Sequence, residues 1–149
     1  MAQTVTAQCT NNNIQYGTSN APSTVGALTT LSYCMYGGDY RLVNNLVAGA
    51  TYSVETCGDT DFDTQLTIYD NATNAFIAYN DDFCGAQSKV TFTSNGNSVR
   101  LLVDAYYCTN ISSCMTLNTT LVSLPPPPPP VITPPVCYDM NGNTGGFTN

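Results

Sequence analysis

Cys57-Gly-Asp-Thr-Asp-Phe-Asp-Thr64, Leu66-Thr-Ile-Tyr-Asp70, Asn80-Asp-Asp-Phe-Cys-Gly85 and Val99-Arg-Leu-Leu-Val-Asp104 follow one another in the middle of this chain. Apolar and polar residues alternate along the strand-like pieces, and acidic turns separate them. Leu66 and Ile68 fall on one face, as do Val99, Leu101 and Val103, with Arg100 and Asp104 on the other. A period of two over short runs, punctuated by Gly, Asn and Asp, is the pattern of half-buried β-strands.

Working outward, the same period recurs. Val5, Ala7 and Cys9 define an opening strand from Thr4 to Cys9, and Asn11 to Gly26 reads as a long polar loop. Leu31, Tyr33 and Met35 form a second set, Tyr40 and Leu42 a third, and Tyr52-Ser-Val a fourth. Asn71-Ala-Thr-Asn turns the chain before Phe76–Tyr79. Val90 and Phe92 precede Asn95-Gly-Asn, which reads as a hairpin turn because both residue types accept positive φ. Met115, Leu117 and Leu121 alternate on a last strand. About nine short strands at roughly ten-residue spacing, without a helical period, predict an all-β antiparallel sandwich or jelly roll.

The chain has 149 residues, 9% charged, with a net charge of −7. Only Arg41, Lys89 and Arg100 are cationic, which argues against nucleic acid and against docking on anionic lipid. No apolar run approaches the ~20 residues of a membrane span, so no membrane insertion is expected. Seven cysteines without histidine or a Cys-x-x-Cys pair point to disulfides in an oxidising, extracellular setting rather than to zinc. No signal peptide is visible at Met1-Ala-Gln-Thr, so the numbering starts at a mature or recombinant end, or the precursor is longer. Composition changes at Pro125. Three regions follow: a sandwich at 1–124, a stiff polyproline segment at 125–136, and a Gly- and Asn-rich tail at 137–149.

The central block resembles the bacterial pre-peptidase C-terminal domain of secreted surface proteins. The resemblance rests on Asp59 to Thr64, Leu66 to Tyr69, Asn80 to Asp82, Ser88 to Phe92 and Leu101 to Asp104, taken in that order. It implies a β-sandwich accessory module without catalysis, with matrix or polysaccharide binding in some relatives. The proline-rich tail is no part of that pattern. In composition it is similar to the spacers of algal wall and flagellar-hair glycoproteins and of filament subunits.

Six cysteines within the sandwich allow fifteen pairings. Cys57 with Cys84 is the first choice, since each flanks an acidic loop. Cys108 with Cys114 would close a small loop, which leaves Cys9 with Cys34. Cys137 is odd, and suggests an intermolecular bond or a following module. Asp59, Asp61, Asp63, Asp81 and Asp82 offer hard oxygen ligands from two loops, the donors Ca²⁺ takes. As an EF-hand start the run fails, because Thr64 and Asp70 stand where Gly and Glu belong. Asx-turns are the alternative. No cofactor besides Ca²⁺ is indicated, and the absence of histidine excludes Ser/His/Asp and Cys/His nucleophile systems. Asn71, Asn110 and Asn118 head glycosylation sequons. Tyr106-Tyr107 offers rings for sugar stacking, or for ordinary packing.

These features describe a non-enzymatic extracellular structural subunit. It self-associates, as a filament or surface fibre, through the segment carrying Pro125, Pro130, Pro135 and Cys137, because a sandwich edge accepts an extended segment from a neighbour. The alternatives are a polysaccharide- or matrix-binding adhesion module, or the accessory domain of a secreted peptidase.

Overall fold

The computed structural model describes residues 9–58 and 61–133. Among them the chain forms nine strands and no helix: β1 (Ile14–Asn20), β2 (Leu28–Tyr36), β3 (Asp39–Asn44), β4 (Thr51–Glu55), β5 (Thr64–Asp70), β6 (Phe76–Asn80), β7 (Lys89–Thr93), β8 (Val99–Ala105) and β9 (Cys114–Ser123). They build a five-stranded sheet, β1-β3-β8-β5-β6, and a four-stranded sheet, β2-β9-β4-β7. All pairings are antiparallel except β1 with β3. The predicted all-β sandwich is therefore the observed architecture.

The alternating residues supply the core. Leu66, Ile68, Leu101 and Val103 from one sheet meet Tyr52, Val54, Met115, Leu117 and Leu121 from the other. Tyr52 stacks on Phe92, its register partner on β7, with ring centroids 6.0 Å apart. Its hydroxyl accepts Val47 N at 3.0 Å, so the one polar atom of this buried ring is satisfied at the β3–β4 crossing.

Three expectations change. First, β1 lies inside the segment expected to be a loop from Asn11 to Gly26. It is exposed along nearly its whole length, so it carries no apolar alternation to announce it. Its bulge between Gln15 and Thr18 includes Gly17 at φ +77°, and a Cβ there would strike the Arg41 guanidinium. That guanidinium instead donates to Tyr16 O (2.9 Å), Thr18 O (3.1 Å) and Ser19 Oγ (2.9 Å), satisfying the carbonyls that the bulge leaves off the ladder. The opening strand expected at Thr4–Cys9 lies outside the described residues, apart from Cys9. Second, Asn95-Gly-Asn is not a hairpin, because β7 and β8 belong to different sheets. Third, Tyr33 is 83% exposed, while Leu31 and Met35 are buried; the β2–β9 register shifts between Ser32 and Met35 and breaks the alternation.

Cys57 bonds Cys84, as expected. The other two pairings are corrected: Cys9 bonds Cys108 and Cys34 bonds Cys114. Cys108 follows β8 and Cys114 opens β9, strands of opposite sheets, so residues 109–113 cross between layers instead of closing on themselves. The antiparallel β2–β9 pair brings the Cys34 and Cys114 Cα atoms to 4.9 Å. With sequence separations of 99 and 80, these two bonds remove more unfolded-chain entropy than the Cys57–Cys84 bond with its 27. The chain-entropy picture gives roughly 4–5 kcal/mol each for the long spans and about 3–4 for the short one.

Beneath Cys57–Cys84 lies a buried hydroxyl network. Thr56 Oγ1 and Thr64 Oγ1 are 2.7 Å apart, Ser88 N donates to Thr56 Oγ1 at 2.9 Å, and Ser88 Oγ donates to Thr64 O at 2.6 Å. All three residues have no exposed surface. They join the two loops that cross between sheets, 56–63 and 81–88. Ser88→Ala, which leaves buried acceptors without their donor, is expected to cost about 1–3 kcal/mol in urea unfolding at pH 7. Peptide mapping of the non-reduced protein is expected to yield Cys9–Cys108, Cys34–Cys114 and Cys57–Cys84.

Candidate functional site

The acidic loops lie at the end of the sandwich that carries the hydroxyl network. Phe62 anchors the first loop against the core. Asp63 is brought close to Asp82 and Asp81: burial, and then those two charges, raise its carboxyl above the ordinary range. Its Oδ1 is buried without a hydrogen-bond partner. Asp81 accepts the Tyr79 hydroxyl at 3.2 Å, and that hydroxyl is pushed well above its usual value by burial and by Asp81. Asp61 and Asp82 are exposed. Among the described residues no three acidic or sulfur side chains stand together closely enough to hold a metal ion. Asp59, the first of the five calcium candidates, lies outside them.

Among the described acids, the one that makes an Asx-turn is Asp70, at the opposite end. It accepts Ala72 N at 2.8 Å and Thr73 N at 2.9 Å, shaping the β5–β6 hairpin. It also accepts Asn95 Nδ2 at 2.7 Å and Asn97 Nδ2 at 2.9 Å, which pins the β7–β8 crossing to that hairpin. These bonds, the one from Asn95 foremost, hold its carboxyl far below the usual range.

Across the outer face of the five-stranded sheet, Arg100 lies between the rings of Tyr40 and Tyr69, 5.7 and 5.6 Å from their centroids, and bonds Asn11 and Asn74. Arg100 and Asp104 do point outward, as alternation requires. Even so, Asp104 is only 7% exposed, and it lines a polar cavity of about 300 Å³ with Thr10, Asn12, Asn110 and the Cys9–Cys108 pair. One carboxylate oxygen accepts Asn13 Nδ2 at 3.0 Å, an amide that also faces Asp39 O and Val103 O at 3.1 Å each. Burial outweighs that bond and pushes the carboxyl up to about 6. Alternation puts Asp104 on the outward face of β8 with Arg100 and Leu102, and residues 9–13, among them Asn13, which bonds it, pack over that end of the strand.

Asn71, on the β5–β6 turn, and Asn110, on the cavity rim, are exposed. Asn118 is not available: it is 9% exposed within β9 and accepts Thr30 Oγ1 at 2.8 Å, so a glycan there has no room in the folded sheet. Tyr106 and Tyr107 are 46% and 81% exposed, with ring centroids 4.7 Å apart. Pro125 is half-buried, and its Cβ sits 3.0 Å from where a side chain would begin on Gly49 (φ +79°); Pro126–Pro130 are exposed. Pro135 and Cys137 lie outside the described residues. No helix among the described residues is long and apolar enough to cross a membrane.

The two unusual acids pull in opposite directions. Asp70, depressed in the fold, adds stability above the ordinary carboxylate range that is lost on acidification. Asp104, raised to about 6, favours the fold fully below its unfolded value and loses that contribution as pH rises through 6. A displacement of about two units corresponds to about 3 kcal/mol. Asp104→Asn, which removes the charge and keeps the shape, is expected to raise stability by about 1–3 kcal/mol at pH 8 and to leave it nearly unchanged at pH 4. Denaturant titrations at the two pH values check this; an equal gain at both would contradict the assignment.

No family model and no curated protein matches the chain. Among solved structures it is similar to the pre-peptidase C-terminal domain of a collagenase from Bacillus anthracis, with 13% identity over 76% of this chain and 98% of that one and a TM-score of 0.43. That is the kind of domain which the block from Asp59 to Asp104 resembles.

Proposed function

We propose that this chain is a non-enzymatic extracellular structural subunit that associates with copies of itself through its proline-rich segment. The observation that carries the reading is the exposure of Val131 and Ile132, 89% and 87%, directly after the proline run. Adjacent apolar side chains held this far into solvent form a ready ligand segment. The prolines lower the entropy lost when the segment is ordered, since each ring already fixes φ. Six prolines span about 19 Å at polyproline spacing, enough to carry Val131 and Ile132 clear of their own sandwich. Its seat on Gly49 gives the rod a defined starting point. The receiving surface is a free sheet edge, and a contact between different surfaces repeated head to tail gives an open fibre. Three disulfides support an oxidising, extracellular setting.

Sedimentation equilibrium tests the reading. The full chain is expected to associate with rising concentration, and a chain ending at Leu124, or one carrying Val131→Asp with Ile132→Asp, to remain monomeric. Monomers in all three cases overturn it. A second reading, as a glycan- or matrix-binding adhesion module, is favoured by the exposed Tyr106–Tyr107 ring pair. Retention of the chain on immobilised glycan, lost in Tyr107→Ala, would promote it.

A further inference from the structure

The sequence holds three side-chain cations, and the fold commits each of them away from Asp104. Lys89 pairs with Glu55 at 2.7 Å. Arg41 fills the β1 bulge through Tyr16 O, Thr18 O and Ser19 Oγ. Arg100 is held between Tyr40 and Tyr69 and bonds Asn11 and Asn74. Asp104 is thus a desolvated carboxylate whose only side-chain donor among the described residues is the neutral Asn13 amide. Buried charges of this kind are ordinarily paired, and none of the three side-chain cations is turned to this one. A cation supplied from outside would complete the pair. We propose that the cavity beside Asp104 is a binding site for an organic cation, an alkylammonium group, with Asp104 as its counter-ion and Asn12 and Asn110 as amide oxygen acceptors for the remaining N–H bonds.

The cavity argues for the class of ligand. At about 300 Å³ it is far larger than a bare metal ion, and among the described residues Asp104 is the one charged side chain lining it. An ammonium brings three N–H donors, and the acceptors it needs are the carboxylate and amide oxygens present here. An anion finds no cation there among the described residues. A neutral polyol would leave the carboxylate charge uncompensated. The same chemistry comes from two sources, a free small amine or a lysine side chain on another protein, and both enter by the mouth that Asn110 borders.

The test is a series of ¹H–¹⁵N spectra of the full disulfide-bonded chain. It is titrated with n-butylammonium chloride, with n-butanol at the same concentrations, and with a short peptide containing one lysine, at constant ionic strength. Saturable shifts of the Asn12, Gly38, Cys108 and Asn110 amides are expected with the two amines and not with butanol. A tighter response to the peptide assigns the cation to a partner protein's side chain, and a tighter response to butylammonium to a free amine. Asp104→Asn is expected to weaken the response by about tenfold or more. Asn110→Lys, a change at an exposed loop position, places a tethered ammonium at the mouth and is expected to displace the added amine even if Asp104→Asn folds poorly. Equal shifts with butanol, no shifts with either amine, or full responses in Asn110→Lys would overturn the proposal.

Discussion

The structure depends on how its two crossing loops are joined. A sandwich core is apolar and cannot accept loose backbone at its ends, so a chain that passes from one sheet to the other must satisfy its polar groups as it turns. Thr56 directly follows β4 and opens one crossing, Thr64 begins β5 at its far side, and Ser88 closes the other crossing. Thr56 N donates to Ser88 O at 2.9 Å and Thr64 N to Ala86 O at 2.9 Å, so backbone and hydroxyls bind the loops into one unit. Cys57–Cys84 closes over that unit. At the far end a single carboxylate, Asp70, does the comparable work for the β5–β6 hairpin and the β7–β8 crossing. Sheet pairing sets the layers, and these polar pins set their relative position.

What the sequence disclosed follows the same physics. Inner positions such as Leu66, Ile68, Leu101 and Val103 repeat with the strand period because one face is buried, and they marked strands and fold class clearly. Edge strand β1 has no buried face and left no such mark. The Cys57–Cys84 bond was legible because its cysteines flank the two acidic loops. Cys9–Cys108 and Cys34–Cys114 were not, since their proximity comes from strand order, which is a property of topology and not of local spacing. The acidic loops drew attention by composition. The acids with the largest shifts, Asp70 and Asp104, sit at strand ends, where only packing against distant segments sets them apart from a solvated residue.

With so few cations, placement of each one matters. Lys89, Arg41 and Arg100 serve the frame: a cross-strand pair, a bulge and an aromatic sandwich. Asp104 is left to destabilise the fold at neutral pH. A buried group that costs stability, beside a cavity, is a common mark of a site kept for binding rather than for folding. The disulfide-clamped sandwich is the frame, and after Pro130 the chain leaves Val131 and Ile132 exposed.

The claim on which the rest stands is that the loop crossings form one rigid unit with the core. Native-state hydrogen exchange on the intact, oxidised chain measures this directly. The amides of Thr56, Thr64 and Ser88 are predicted to exchange only through global unfolding, with the same free energy as those of Leu101 and Val103 at the centre of β8. Exchange of the three through a separate, lower-energy opening, while β8 stays protected, would show that the crossings are loops on a frame held by other means, and would contradict the account.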